Sequence, residues 1–338
     1  MDQSIDPLQT RIADALTTVL TRTGDLDAEL AAIGVPGMGA PESVGGLGLG
    51  LSADTMVNLG LGRGLEPQAS YRETALVLDL LAGSEVPRSR LAALLRGEQH
   101  AATVGVHTTA DLRVDDSGRA WGESEHLPAG RFGLALIRAM EQHGNSGWYL
   151  VVPQESTCET ESGTRLGLST VRLRFTGAPA EALRLSEPHT RWALDAARVR
   201  QAALLLGVAD RALELARTHV NQRRQFGKPL VELQTVAHEL ARLIGAADGW
   251  RLLLHQTAWR CDRGRAEAAE PSRLLAAASE HALACARTSL HLHGVRGMLA
   301  HSTPAAAFRV ASVEATRLDT PANLWNAAGA ARGDAADS

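Results

Sequence analysis

Apolar residues recur every three to four positions over residues 6–100, and that period predicts helices. In DPLQTRIADALTTVLTR, Ile12, Leu16 and Val19 fall on one face. DLDAELAAIGV reads as a short helix stopped by Gly34, because glycine enters the left-handed C-cap conformation without steric cost. PGMGAPESVGGLGLGLS reads as a loop, with Ser52 as the N-cap of the helix that follows. SYRETALVLDLLAGS and SRLAALLRGE read as two more helices. Between 101 and 187 the pattern changes to short apolar or alternating runs separated by turns, among them AATVGVHTT, LALIRAM, WYLVVP and VRLRF. These predict a small antiparallel β-domain, with DDSG at 115–118 as a hairpin turn. From 188 the helical period returns in long stretches. They cover 190–222, a helix on which Leu233, Val236, Leu240, Leu243 and Ala247 share a face, then SRLLAAASEHALACARTSLHLHG and TPAAAFRVASVEATRL. The expected class is mainly α with a small central β-domain. Its parts are an N-terminal helical domain (1–100), the β-domain (101–187), a four-helix C-terminal domain (188–330) and a disordered polar tail (331–338).

Composition narrows the function. The chain has 338 residues, is 45% hydrophobic and carries a net charge of −4. That supports a large core and gives no reason to expect nucleic-acid or membrane-surface binding. No run of about 18 apolar residues is present, so no membrane span is expected. Three scattered cysteines without CxxC spacing, Cys158, Cys261 and Cys285, suit a reduced, cytoplasmic setting and predict no metal site.

Two motifs invite chemistry. VGGLGLGLS has a glycine content suited to phosphate, but it lacks both GKS/T and a GxGxxG after a strand, which favours a plain loop. RRQFGKP at 223–229 joins two helices. Its charge is favourable at a helix C-terminus in any case. Its guanidinium forks also suit phosphate, with Phe226 beside them to pack on a ring system.

The wider pattern R-x-Q-F-G-K-P-L-x-x-x-Q-x-V-x-H-x-L-A, from Arg223 to Ala241, resembles the acyl-CoA dehydrogenase family. APESVGGLGL, GRGLEP, LHLHGVRG and Arg198 resemble further family segments. The resemblance implies an α-β-α three-domain architecture of a short, actinobacterial-type member. It implies FAD and α,β-dehydrogenation of an acyl thioester, on CoA or on a carrier protein. It also implies a homodimer, a homotetramer or a heterotetramer with a homologous subunit, and an electron-transfer acceptor. The residues it assigns to the cofactor are Arg223, Gln225, Phe226, Gln234, His291 and Gly294, with Arg223 reaching the FAD diphosphate of a neighbouring subunit.

The chain departs from that pattern in places. Ala197 precedes Arg198 where some members carry the catalytic carboxylate. A carboxylate near RLDTPANL makes Asp319 the candidate base, with His301 and Glu314 as alternatives. Val295 replaces a glycine, and His291 replaces a glutamine. RAWGESEHLPAG is the nearest remnant of the strands that flank the flavin. Two rival functions therefore stand beside the dehydrogenase: a non-catalytic partner subunit, and the same fold diverted to a non-redox step.

Overall fold

The computed structural model describes residues 7–22, 24–106, 111–141 and 144–336, with side chains placed from residue 10 to 331. Six helices precede the sheet among the described residues: α1 (Pro7–Leu20), α2 (Leu26–Ala32), α3 (Val35–Met38), α4 (Gly50–Gly64), α5 (Tyr71–Ala82) and α6 (Arg88–Leu95). The strands are β1 (Ala101–Val104), β2 (Arg113–Val114), β3 (Arg119–Glu123), β4 (Leu127–Pro128), β5 (Leu134–Glu141), β6 (Ser146–Val151), β7 (Cys158–Arg165) and β8 (Leu168–Leu183). Then come α7 (Glu187–Gln222), a hairpin of β9 (Arg224–Gln225) and β10 (Lys228–Pro229), and α8 (Gln234–Asp262). The chain ends with α9 (Glu270–His293), α10 (Thr303–Glu314) and α11 (Pro321–Ala336). His107–Thr109, the end of the expected AATVGVHTT strand, lie outside the described residues.

The structure revises three local expectations. Ser52 is not an N-cap, because α4 already begins at Gly50. The stretch expected as loop holds α3, where Pro36 near the helix start pre-sets φ and needs no amide partner. α11 carries the chain to Ala336, across most of the stretch expected as a tail; its alanines favour helix. Gly34 does adopt the left-handed conformation (φ 79°) after α2.

Contacts divide the chain into two compact units. One comprises 15–53 and 68–197. Its sheet runs β1-β5-β2-β3-β8-β4, with β6 against β5 and β8, and β7 against β8. The sheet is mixed, not antiparallel as expected, since β1 and β2 both run parallel to β5. The sequence of β5 carries the reason. Leu134, Ala135, Leu136 and Ile137 are all buried, and a strand covered on both faces loses the alternation that marks a half-exposed one. The expected hairpin at 115–118 forms between β2 and β3, with Gly118 at φ 70°. Phe175, Leu173, Val171, Ile137 and Val151 are among the residues of the core. α5 packs on β1, where the Thr103 hydroxyl donates to the buried Glu73 carboxylate at 3.3 Å.

The other unit comprises 1–14, 54–67 and 198–338. α4 and α7 meet there at two glycines. A Cβ on Gly62 would lie 2.0 Å from the Leu204 carbonyl oxygen, and one on Gly207 would lie 2.2 Å from that of Leu59. Only residues without a side chain allow so close a crossing. Beside it, Arg200 and Asp54 form a fully buried ion pair at 3.0 Å. Gln201 donates to the backbone and the carboxylate of Glu314. Leu240, Leu243 and Ala247 are buried along α8, on the face expected for them.

Candidate functional site

Chain connectivity gathers most of the predicted cofactor residues at one end of the helical unit. α8 and α9 are consecutive, joined by a short loop, and packed on each other. The N-terminus of α8 therefore lies beside the C-terminus of α9, and Glu239 of α8 hydrogen-bonds Thr288 of α9. One turn further towards that end stand Gln234, at the first position of α8, and His291, in the last turn of α9; both are exposed. The hairpin leads into the same helix start.

The hairpin turn has an unusual backbone. Phe226 (φ 52°) and Gly227 (φ 79°) both have positive φ, as a two-residue type I′ turn requires. Such a conformation is ordinary for glycine and uncommon for a bulky residue. Phe226 is nonetheless held there with its ring 87% exposed. An exposed aromatic ring on a strained turn gains nothing from its own chain, which points to a partner for the ring outside it. Arg223 is exposed just before the hairpin, its carbonyl accepting the Leu230 amide.

Two histidines tie this region to the end of α9. His219, on the last turn of α7, stacks on His293 with ring centroids 4.2 Å apart. His293 Nδ1 lies 2.7 Å from the Ser289 carbonyl and donates to it. The His219 imidazole is pushed below its ordinary range by burial first, then by the neighbouring His293, Arg223 and Arg296. Arg223 and Arg296 thus both act on one ring, although they are 73 positions apart in the chain. Gly294 sits between the histidine and Arg296 at φ 60°, with open space where a Cβ would point. Bare backbone and two guanidinium groups suit an anionic ligand. Val295 does not fill a cavity of its own subunit: its side chain is 80% exposed, next to exposed Met298 and Leu299.

The candidate bases lie apart from one another. His301 is exposed before α10, and Asp319 follows it. α10, which lies between them in the chain, spans 12 residues, or roughly 18 Å. Asp319 Oδ1 accepts from the Thr320 amide (2.7 Å) and from Asn323 Nδ2 (2.8 Å). Among the described residues no hydrogen bond reaches its Oδ2. Glu314 is buried against Gln201 and Arg317, which commits its carboxylate to the core.

Sequence reasoning missed a polar rim on the sheet unit. In the β3–β4 connection, Glu125 is pushed above the usual carboxylate range by burial and accepts the Gly105 amide at 3.2 Å. Arg172 Nη2 lies 2.9 Å from His126 Nε2, which makes that nitrogen the acceptor. The string GESEH was visible, but nothing in it indicates that β8 supplies Arg172.

Among the described residues no helix is long and apolar enough to cross a membrane. The three cysteines are free and buried.

A model of the acyl-CoA dehydrogenase C-terminal domain matches residues 188–316. The chain is 27% identical over 266 residues to benzylmalonyl-CoA dehydrogenase of Aromatoleum aromaticum, an alignment covering 70% of each. It is 36% identical over 97 residues to the L-prolyl-[peptidyl-carrier protein] dehydrogenase of Pseudomonas fluorescens, covering 29% of this chain and 26% of that protein. Among solved structures, the ChsE4-ChsE5 complex from Mycobacterium tuberculosis shares the fold, with a TM-score of 0.82 at 22% identity over 97% of this chain and 98% of that one. Residues 188–316 thus match the acyl-CoA dehydrogenase C-terminal domain, and the chain is similar along most of its length to one dehydrogenase of an acyl-CoA and shares the fold of a solved two-component complex.

Proposed function

We propose that the protein dehydrogenates an acyl thioester between its α and β carbons, with FAD as cofactor. The observation that carries this reading is the joining of Arg223, the Phe226 hairpin and the Gly294–Arg296 segment around the stacked His219 and His293. FAD, when bound, accepts the β-hydride. Arg223 holds its diphosphate, while Phe226, Gln225, Gln234, His291 and Gly294 line its length. Exposure of Arg223 and Phe226 fits a grip offered to a neighbouring subunit.

Asp319 is the proposed base. Its Oδ1 is oriented by two hydrogen bonds, which leaves Oδ2 to take the α-proton. His301 is the alternative, exposed just before α10. The acyl carrier is CoA or a carrier-protein pantetheine arm; relatives named for each are similar to this chain. The protein works in the cytoplasm as an oligomer, either of identical subunits or with a homologous one, as the likeness to a two-component complex supports.

The test is the visible spectrum of the purified protein, sized by light scattering, followed by turnover of CoA and carrier thioesters with an artificial electron acceptor. Flavin bands with thioester-dependent bleaching support the reading. A protein that takes up no added FAD, alone or co-expressed with a homologous subunit, refutes it.

A further inference from the structure

The cationic end of the helical unit contains more than a diphosphate grip needs. Arg223 and Arg296 carry fixed charge at any working pH. His219 does not, and it lies where both act on it. Four groups face it: the His293 ring and the Leu292 backbone, to which it hydrogen-bonds, from α9, Arg296 from the segment after α9, and Arg223 just past the end of its own helix. Among the described residues, the charges that act on it include no carboxylate. Burial and three cationic or titratable neighbours disfavour the protonated ring in the free protein, because they make a further positive charge costly there.

An anion placed among these groups reverses that balance. It supplies the missing opposite charge, so the ring binds a proton more readily in the complex than in the free protein. We propose that His219, stacked on His293, completes the site formed by Arg223 and Arg296 and takes up a proton when the cofactor diphosphate binds. This rests on the reading that the diphosphate occupies this end of the unit. It adds His219, His293 and Arg296 as binding residues, and it makes cofactor retention depend on pH.

The sign follows from linkage. A group whose proton affinity is higher in the complex strengthens binding as pH falls, through the interval between its free and bound midpoints. For one coupled proton the limit is about tenfold per pH unit. FAD is a suitable probe, since its diphosphate diester does not change charge between pH 5.5 and 7.5.

The experiment measures FAD affinity of the apoprotein by flavin fluorescence across that range. Wild type should bind more tightly at low pH, approaching about tenfold per unit. His219→Phe keeps a stackable ring without a titrating nitrogen, and should show a flat profile near the high-pH wild-type affinity. A pH-independent wild type, or a His219→Phe variant with the full pH dependence, overturns the proposal. Should the variant fold poorly, the His219 titration in wild type by NMR replaces it: the midpoint should move up on FAD addition, and an unchanged midpoint overturns the coupling. Arg223→Ala separates the two levels. If it leaves affinity unchanged at every pH, the diphosphate is elsewhere and the underlying reading fails with the proposal. If it weakens affinity while His219→Phe changes nothing, only the proton coupling fails.

Discussion

Replacing Gly62 by alanine adds one methyl group at the point where α4 crosses α7. That methyl would lie 2.0 Å from the Leu204 carbonyl oxygen and 3.0 Å from Gly207 Cα. The first contact is backbone and cannot rotate away, so the helices must part by about 1 Å to reach even the tightest tolerated distance. Around the crossing, Val199, Ala202, Ala203, Leu204, Leu205 and Val208 are fully buried, and parting them opens space throughout the layer. Overpacking of this kind costs about 1–3 kcal/mol. Alanine also returns about 1 kcal/mol of helix propensity, so the net loss is up to about 2 kcal/mol. Gly249, exposed on α8 with open space around an added methyl, gives the opposite sign: Gly249→Ala should stabilise by about 0.5–1 kcal/mol. Equilibrium urea denaturation followed by circular dichroism reads both. The Gly62→Ala, Gly207→Ala double variant should lose less than the two single losses together, because one parting of the helices relieves both clashes. A Gly62→Ala protein as stable as Gly249→Ala would refute the argument, since the crossing would then have slack that the distances deny.

Arg223→Ala should weaken FAD binding about 10- to 100-fold, corresponding to the loss of a charged hydrogen-bond partner worth about 1.5–3 kcal/mol; fluorescence titration checks it. Asp319→Asn should abolish thioester oxidation while leaving the circular dichroism spectrum and melting midpoint close to wild type, and retained turnover removes Asp319 as the base. Burial holds His281 down to about 4, against about 6.5 when unfolded. Below pH 6.5 the unfolded state therefore binds the extra proton, so stability should fall as pH drops from 6.5 towards 4, and His281→Asn should flatten that interval in urea titrations. Cys285, pushed up to about 12 by burial, should resist iodoacetamide in the native protein and react once it is unfolded in urea.

Local sequence determined the helices and their order. The apolar face of α8, the glycine stop after α2 and the hairpin at 115–118 are each set by neighbours within one or two turns, so period and turn chemistry suffice to read them. The motif from Arg223 to Ala241 likewise exposed the candidate cofactor residues, because family-like spacing is itself a property of the linear chain. What tertiary structure alone decided are the relations between distant positions. The parallel pairing of β1 and β2 with β5 was hidden because a strand buried on both faces shows no alternation. The crossing at Gly62 and Gly207 joins residues 145 positions apart, and each glycine alone looks like a weak point in a helix. Arg296 and His219 drew no attention in the sequence, since an arginine in a loop and a histidine at a helix end are ordinary there. Packing of α7 against the end of α9 gives them a shared charge environment, and only long-range contacts that overcome chain entropy create such an environment.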